Sequence, residues 1–182
     1  MQPLRTGGDE RGQVKTIIVL AMHGAPPNDV SPLAVIELVG LHEGLEHAPR
    51  LVRKLLEPRY RKLDARMRAR PRTAQNDRFW AGSQELAEHM QIASGLEVII
   101  GFNEFCAPTL DEALDQAAAR AERVVVITPM MTRGGEHAEV EIPAAIRQAQ
   151  ARHPDVDLKY AWPLDVSAIA QFLAAQLDQT VL

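Results

Sequence analysis

The stretch Thr16-Ile17-Ile18-Val19-Leu20-Ala21-Met22, running straight into His23-Gly24, decides the fold class. It is a continuous apolar run rich in β-branched side chains, which reads as a strand buried on both faces near the centre of a parallel sheet. The glycine directly after the histidine lets the chain turn sharply and leaves the imidazole accessible. A similar arrangement returns at Val124-Val125-Val126-Ile127-Thr128-Pro129, which leads through Gly134-Gly135-Glu136 to His137. Open parallel α/β sheets bind their ligands outside the carboxyl ends of the strands. Two strands that each end in a histidine turn therefore predict a shared site for metal or acid–base chemistry.

Outward from these two strands the pattern alternates. Strands are predicted over Val14–Met22, Leu96–Phe102, Arg123–Thr128 and Asp157–Trp162. Ser31-Pro32 opens a helix with a proline in its first turn. Residues 44–70 carry Leu45, Leu51, Val52, Leu55, Leu56, Leu63 and Met67 at helical spacings, giving one or two amphipathic helices with a break or kink near Pro58. Pro71–Asp77 reads as a loop and Phe79–Ala93 as a helix. The helix over 109–121 starts with Thr109 and Glu112 in a T-x-x-E capping pattern. Further helices run to about Arg152 and over Asp165–Leu177. Such alternation implies an α/β fold: a single open four-stranded, mostly parallel sheet with helices on both faces. Glu104 and His137 lie 33 positions apart, about one βαβ step, whereas His23 and Glu104 lie 81 apart. The surplus reads as a helical insertion at about 30–94 within one domain over 14–182. Residues 1–13, polar and glycine-rich, read as a flexible leader.

Length and composition fit one soluble domain: 182 residues, 46% hydrophobic and 24% charged. The single Cys106 excludes an internal disulfide and a thiolate zinc site, and reads as a small buried hydrophobe. No apolar run is long enough to span a bilayer, and nothing resembles a signal peptide cleavage site. A cytoplasmic protein is expected. The net charge of −4 hides an asymmetry. Residues 50–78 hold 11 Lys and Arg against three acids, or +8; the rest of the chain holds 9 against 21, or −12. Such a field either holds a polyanion at the mouth of a site or is a solvated helix face. Aromatic content of 4% offers little stacking surface for bases, so no nucleic-acid partner is expected.

His23, directly after its strand, and His137, reached through the glycine loop after its own, are the candidate site residues that the pattern itself marks. If a helix begins at His137, Glu141 shares its face and can orient the ring; Pro143 favours a start nearer 142, with His137 in the loop. His42, His47, His89 and His153 read as surface residues. Three stretches together, Val19-Leu20-Ala21-Met22-His23-Gly24, Gly101-Phe102-Asn103-Glu104-Phe105-Cys106-Ala107-Pro108, and Val124–Met131 leading to Gly135-Glu136-His137 and Glu141-Ile142-Pro143, resemble the class II tetrapyrrole chelatases. The resemblance is to the short sirohydrochlorin cobaltochelatase and ferrochelatase group. It implies a lyase that inserts Co²⁺, Fe²⁺ or Ni²⁺ as a substrate metal, with no organic cofactor. It also implies that His23, His137 and Glu104 hold the metal and help deprotonate the macrocycle, and that two chains pair as a homodimer. Imidazole suits these metals, and a neighbouring carboxylate can take up protons. The chain departs from the family pattern at Ala25, where a serine follows His-Gly, and at Glu141, where an aspartate precedes Ile-Pro.

The family's substrates are polycarboxylates. Arg66, Arg68 and Arg70 are accordingly expected to meet tetrapyrrole carboxylates, with Arg59, Arg61, Lys62 and Arg72 near the rim. Two rival readings are a non-catalytic metal or tetrapyrrole carrier and a histidine phosphatase. Against the second, Met22 stands where that family's motif places arginine before His-Gly. An α/β-hydrolase is excluded because the chain has no G-x-S-x-G.

Overall fold

A computed structural model describes residues 14–181, so the expected leader over 1–13 lies outside the described residues. Four strands, β1 (Thr16–Met22), β2 (Glu97–Phe102), β3 (Arg123–Ile127) and β4 (Asp157–Tyr160), form one sheet in the order β2-β1-β3-β4. Every pairing is parallel, with Val19 opposite Ile99 on one side and Val126 on the other. β1 is central, as its uninterrupted apolar run requires, and Ile17, Val19, Leu20 and Ala21 are almost fully buried. The chain leaves β1 toward β2 and then returns to the other side for β3. The crevice between β1 and β3 is thus a topological switch point, where sheets of this kind bind ligands.

Helices cover both faces. α3 (Arg78–Ser94) packs Trp80, Ala87 and Met90 on Leu20, Met22, Ile100 and Phe102. On the opposite face α4 (Leu110–Ala118) and α5 (Ile142–Arg152) bury Ala113, Leu114, Ala117, Ile142 and Ala149 against Ile17, Val19, Val124 and Val126. α4 starts with the expected capping box: Thr109 accepts from the Glu112 N–H, and the Glu112 carboxylate accepts from the Thr109 N–H. It lies so close to β2 that a Cβ on Gly101 would come within 2.8 Å of the Ala113 Cβ. α6 (Val166–Val181) closes the chain.

Between β1 and α3 stand α1 (Pro32–His47) and α2 (Arg50–Arg68), packed on each other. The helical break falls at Ala48-Pro49 and not at Pro58. A residue before proline is pushed out of the helical region, and Ala48 is extended at ψ 141°. Pro58 is accommodated inside α2. Since α3 is the crossover helix that packs on β2, the α1–α2 pair is the addition to a plain βαβ plan. No helix among the described residues is long and apolar enough to cross a membrane.

Candidate metal centre

Three side chains converge past the carboxyl ends of β1, β2 and β3. β1 ends at Met22, and the next residue presents the His23 ring outward, with its side chain 47% exposed. The turn after β2 runs alongside the turn after β1 and stays fastened to it. The Asn103 N–H donates to the Met22 carbonyl and the Glu104 N–H to the His23 carbonyl, each at 2.9 Å. Such an approach leaves no room for a side chain at position 24. Gly24 has φ +107°, and a Cβ there would lie 2.0 Å from the Glu104 carbonyl oxygen. The glycine after His23 is thus required by the turn and by the neighbouring backbone alike.

His137 opens a π-helical turn, His137–Glu141, that runs directly into α5. The Ile142 N–H reaches back to the His137 carbonyl. Pro143, with no N–H, cannot continue an ordinary ladder there, and the wider turn accommodates it. Of the two geometries open from the sequence, the structure adopts the one in which His137 and Glu141 share a face. His137 Nδ1 lies 2.6 Å from Glu141 Oε2, which turns Nε2 toward the crevice and fixes the ring. Tyr160, at the end of β4, donates its hydroxyl to the Ala138 carbonyl at 2.9 Å and so ties down the π turn. Burial, with Glu139 adding, pushes the Tyr160 phenol up to about 12.

The result is a compact cluster. The His23 and His137 ring centroids are 4.5 Å apart. Glu104 lies between them, with Oε2 4.0 Å from His23 Nδ1 and Oε1 3.5 Å from His137 Nε2. One ligand atom from each residue falls within 4.8 Å of the others. Two nitrogens and one oxygen at this spacing can close on a divalent transition metal while leaving coordination positions open, as reactive sites do and structural sites do not. Beside the cluster a cleft of about 210 Å³ runs between α1 and α2, lined by Glu43, Asp64, Glu104 and Glu141, with Arg68 as its one arginine. That excess of carboxylates favours cations, which weighs against a phosphatase needing cationic groups around its anion.

The arginines expected at the rim behave differently from one another. Arg59 pairs with Glu37, Arg61 with Glu57, and Arg70 with Asp29 at 3.3 Å. Arg66 is exposed on α2. Arg68 lines the cleft with its fork engaged by Asp64 and the Asn103 and Cys106 carbonyls, and Arg72 turns inward to Asp77 and to the Ala25 and Phe105 carbonyls. Asp77, which the sequence leaves in a loop, caps α3 through the Trp80 N–H and is almost wholly buried. A capping acid just before an apolar helical run is a signal that could have marked it. Cys106 is buried as expected, and burial pushes its thiol up. His153 is not simply a surface residue, since its Nε2 lies 2.8 Å from Asp115.

The CbiX family model matches residues 72–180, more than half of the chain, taking in Glu104 and His137 and starting beyond His23. A curated relative, the sirohydrochlorin cobaltochelatase of Priestia megaterium, is 34% identical over 80 residues, 43% of this chain and 26% of that protein. The aligned stretch thus spans about a quarter of that relative's length. Among solved structures, a cobalamin-biosynthesis CbiX protein of Marinobacter aquaeolei VT8 is similar at 18% identity and a TM-score of 0.48, covering 90% of this chain and 98% of that one. The sirohydrochlorin chelatase SirB of Bacillus subtilis subspecies spizizenii, in complex with cobalt, is similar at 17% identity and a TM-score of 0.41, covering 82% of this chain and 43% of that one.

Proposed function

The chain belongs to the CbiX family, and on that premise we propose that it inserts Co²⁺ or Fe²⁺ into a sirohydrochlorin-type tetrapyrrole in cobalamin or siroheme biosynthesis. The observation that carries this reading is the meeting of His23, Glu104 and His137 within 4.8 Å at the switch point of the sheet. Insertion exchanges one metal ion for two pyrrole N–H protons. The three side chains hold the metal loosely through two imidazoles and a carboxylate. As the metal passes to the ring nitrogens, the ligands it leaves become free bases and accept the two protons. Glu141 steadies the His137 ring for both roles.

The cleft beside the cluster, of about 210 Å³, is lined by Leu38, Val39, Tyr60 and Phe105 as well as by its carboxylates, and those acids would attract an incoming cation. The acid-lined cleft is the approach for the metal. The tetrapyrrole meets the cluster from the open side, where His23 is exposed, and Arg66 and Arg70 are the arginines left to draw its carboxylates. We place the protein in the cytoplasm as a homodimer. Support for pairing comes from α6, where Val166, Phe172 and Leu173 are 71%, 51% and 52% exposed, an apolar surface that a second copy would cover.

Multiple-turnover spectrophotometry with metal-free sirohydrochlorin and Co²⁺, Fe²⁺ or Ni²⁺ tests the activity. The wild type turns over with at least one metal, while His23→Ala and His137→Ala stay folded and lose insertion. Stoichiometric metal binding with no turnover would instead leave a carrier protein.

A further inference from the structure

The loop that carries Glu104 is not at rest by itself. Phe105 adopts φ +55°, uncommon for a residue with a side chain. Neither polar atom of the buried Asn103 amide has a hydrogen-bond partner. Both features cost free energy, and they persist only where surrounding structure over-determines the conformation. What surrounds this loop is the end of α2 and the segment after it. Arg68 Nε meets both oxygens of Asp64, at 3.0 and 2.8 Å. The remaining two nitrogens of its fork reach the Cys106 carbonyl at 2.7 Å and the Asn103 carbonyl at 3.0 Å. Arg72 donates to the Phe105 carbonyl from one nitrogen and to Ala25 at 2.8 Å and Asp77 at 2.6 Å from the other.

Carbonyls 103, 105 and 106 are therefore gripped on both sides of Glu104, and the Arg72 grip extends to Ala25, in the turn after His23. We propose that Arg68 and Arg72 are positioning residues that hold the Glu104 carboxylate at its distance from the two imidazoles. The added α1–α2 pair serves as the buttress that delivers them. A planar fork with several fixed donors can bridge carbonyls and a carboxylate at once; an ammonium cannot. The proposal rests on the reading of Glu104 as a metal ligand, but its first consequence, a tethered loop, needs no metal.

Arg68 is the residue to vary, since loss of Arg72 strands a buried Asp77 and endangers folding. Arg68→Gln and Arg68→Lys are made in the full chain, alone and together with Glu104→Gln, where two imidazoles still bind metal. Amide exchange of residues 103–106 is measured without metal, and Co²⁺ affinity by calorimetry. In Arg68→Gln the 103–106 amides exchange faster, and Co²⁺ binds about ten-fold more weakly, in line with losses on removing groups that support a metal ligand. Arg68→Lys restores only part of that affinity. On the Glu104→Gln background, Arg68→Gln causes no further loss, because its effect runs through Glu104. Unchanged amide exchange, or an equal loss of affinity on both backgrounds, overturns the proposal. A wild-type chain that binds Co²⁺ but never inserts it would remove the chelatase reading and leave the anchoring intact.

Discussion

Gly24→Ala tests how the site is assembled. A Cβ at this position would stand 2.0 Å from the Glu104 carbonyl oxygen and 2.9 Å from its carbon. A tolerable carbon–oxygen contact is about 3.3 Å, so the two turns must separate by about 1 Å. A side chain held at φ +107° adds strain of about 1–3 kcal/mol. Loss of the bond from the Glu104 N–H to the His23 carbonyl adds about 1 kcal/mol. The total of about 2–4 kcal/mol lowers the thermal midpoint by roughly 4–16 °C in a chain of this size. The functional effect is larger. A misplacement of about 1 Å at a reacting centre costs about 100-fold in rate, so insertion falls by about that factor while the variant still folds below its new midpoint. Thermal unfolding by circular dichroism and single-turnover insertion with Co²⁺ give the two readings. An alanine variant with an unchanged midpoint and full insertion would show that the two turns are not in fixed contact, and the argument from Gly24 would fail.

Asp77→Ala leaves Arg72, whose side chain is 5% exposed, without its charge partner. A loss of about 3–5 kcal/mol in urea unfolding is expected, and Asp77→Ala as stable as wild type would contradict it. Tyr160 holds its proton more tightly in the folded chain, up to about 12, than in the unfolded chain. Its contribution is therefore complete below about pH 10 and is lost as pH rises through the folded value. Alkaline unfolding curves should show this decline in wild type, and a smaller decline in Tyr160→Phe. If Arg66 and Arg70 steer a polycarboxylate, added salt lowers kcat/KM in wild type and lowers it less in the Arg66→Gln/Arg70→Gln variant; parallel salt curves would make them plain solvated surface.

What could be read from the sequence was local. Seven residues from Thr16 to Met22 suffice for a central strand because burial on both faces admits little but apolar side chains. Thr109 and Glu112 declare a helix start because both partners of the capping box lie within four residues. Of the three candidate site residues, His23 was legible because it follows its strand directly and His137 because a glycine loop leads to it from the next strand, whereas Glu104 was marked by the family resemblance; the sheet brings these strand ends together. The strand order was not legible, because pairing of β1 with β2 across 80 positions leaves no periodic trace. Pro58 drew attention as the break, yet Pro49 makes it: a proline always restricts the residue before it, while a helix can carry one inside when neighbouring packing supports it. Arg68 and Arg72 were hardest. A run of arginines on a helix looks like a solvated face, and the carbonyls that claim them lie 33 to 47 residues away in sequence.

The two turns bearing His23 and Glu104 are joined main chain to main chain, and the side chain that also braces them, the Arg72 fork, comes from elsewhere in the fold. The frame is therefore built without the tips of residues 23 and 104. Donor chemistry can drift by substitution, nitrogen for oxygen or hard for soft, without the spacing having to be rediscovered each time. With His23 and Glu104 holding the metal as proposed, a scaffold of this kind would separate the choice of metal from the stability of the fold, a ready starting point for laboratory selection of new metal preferences.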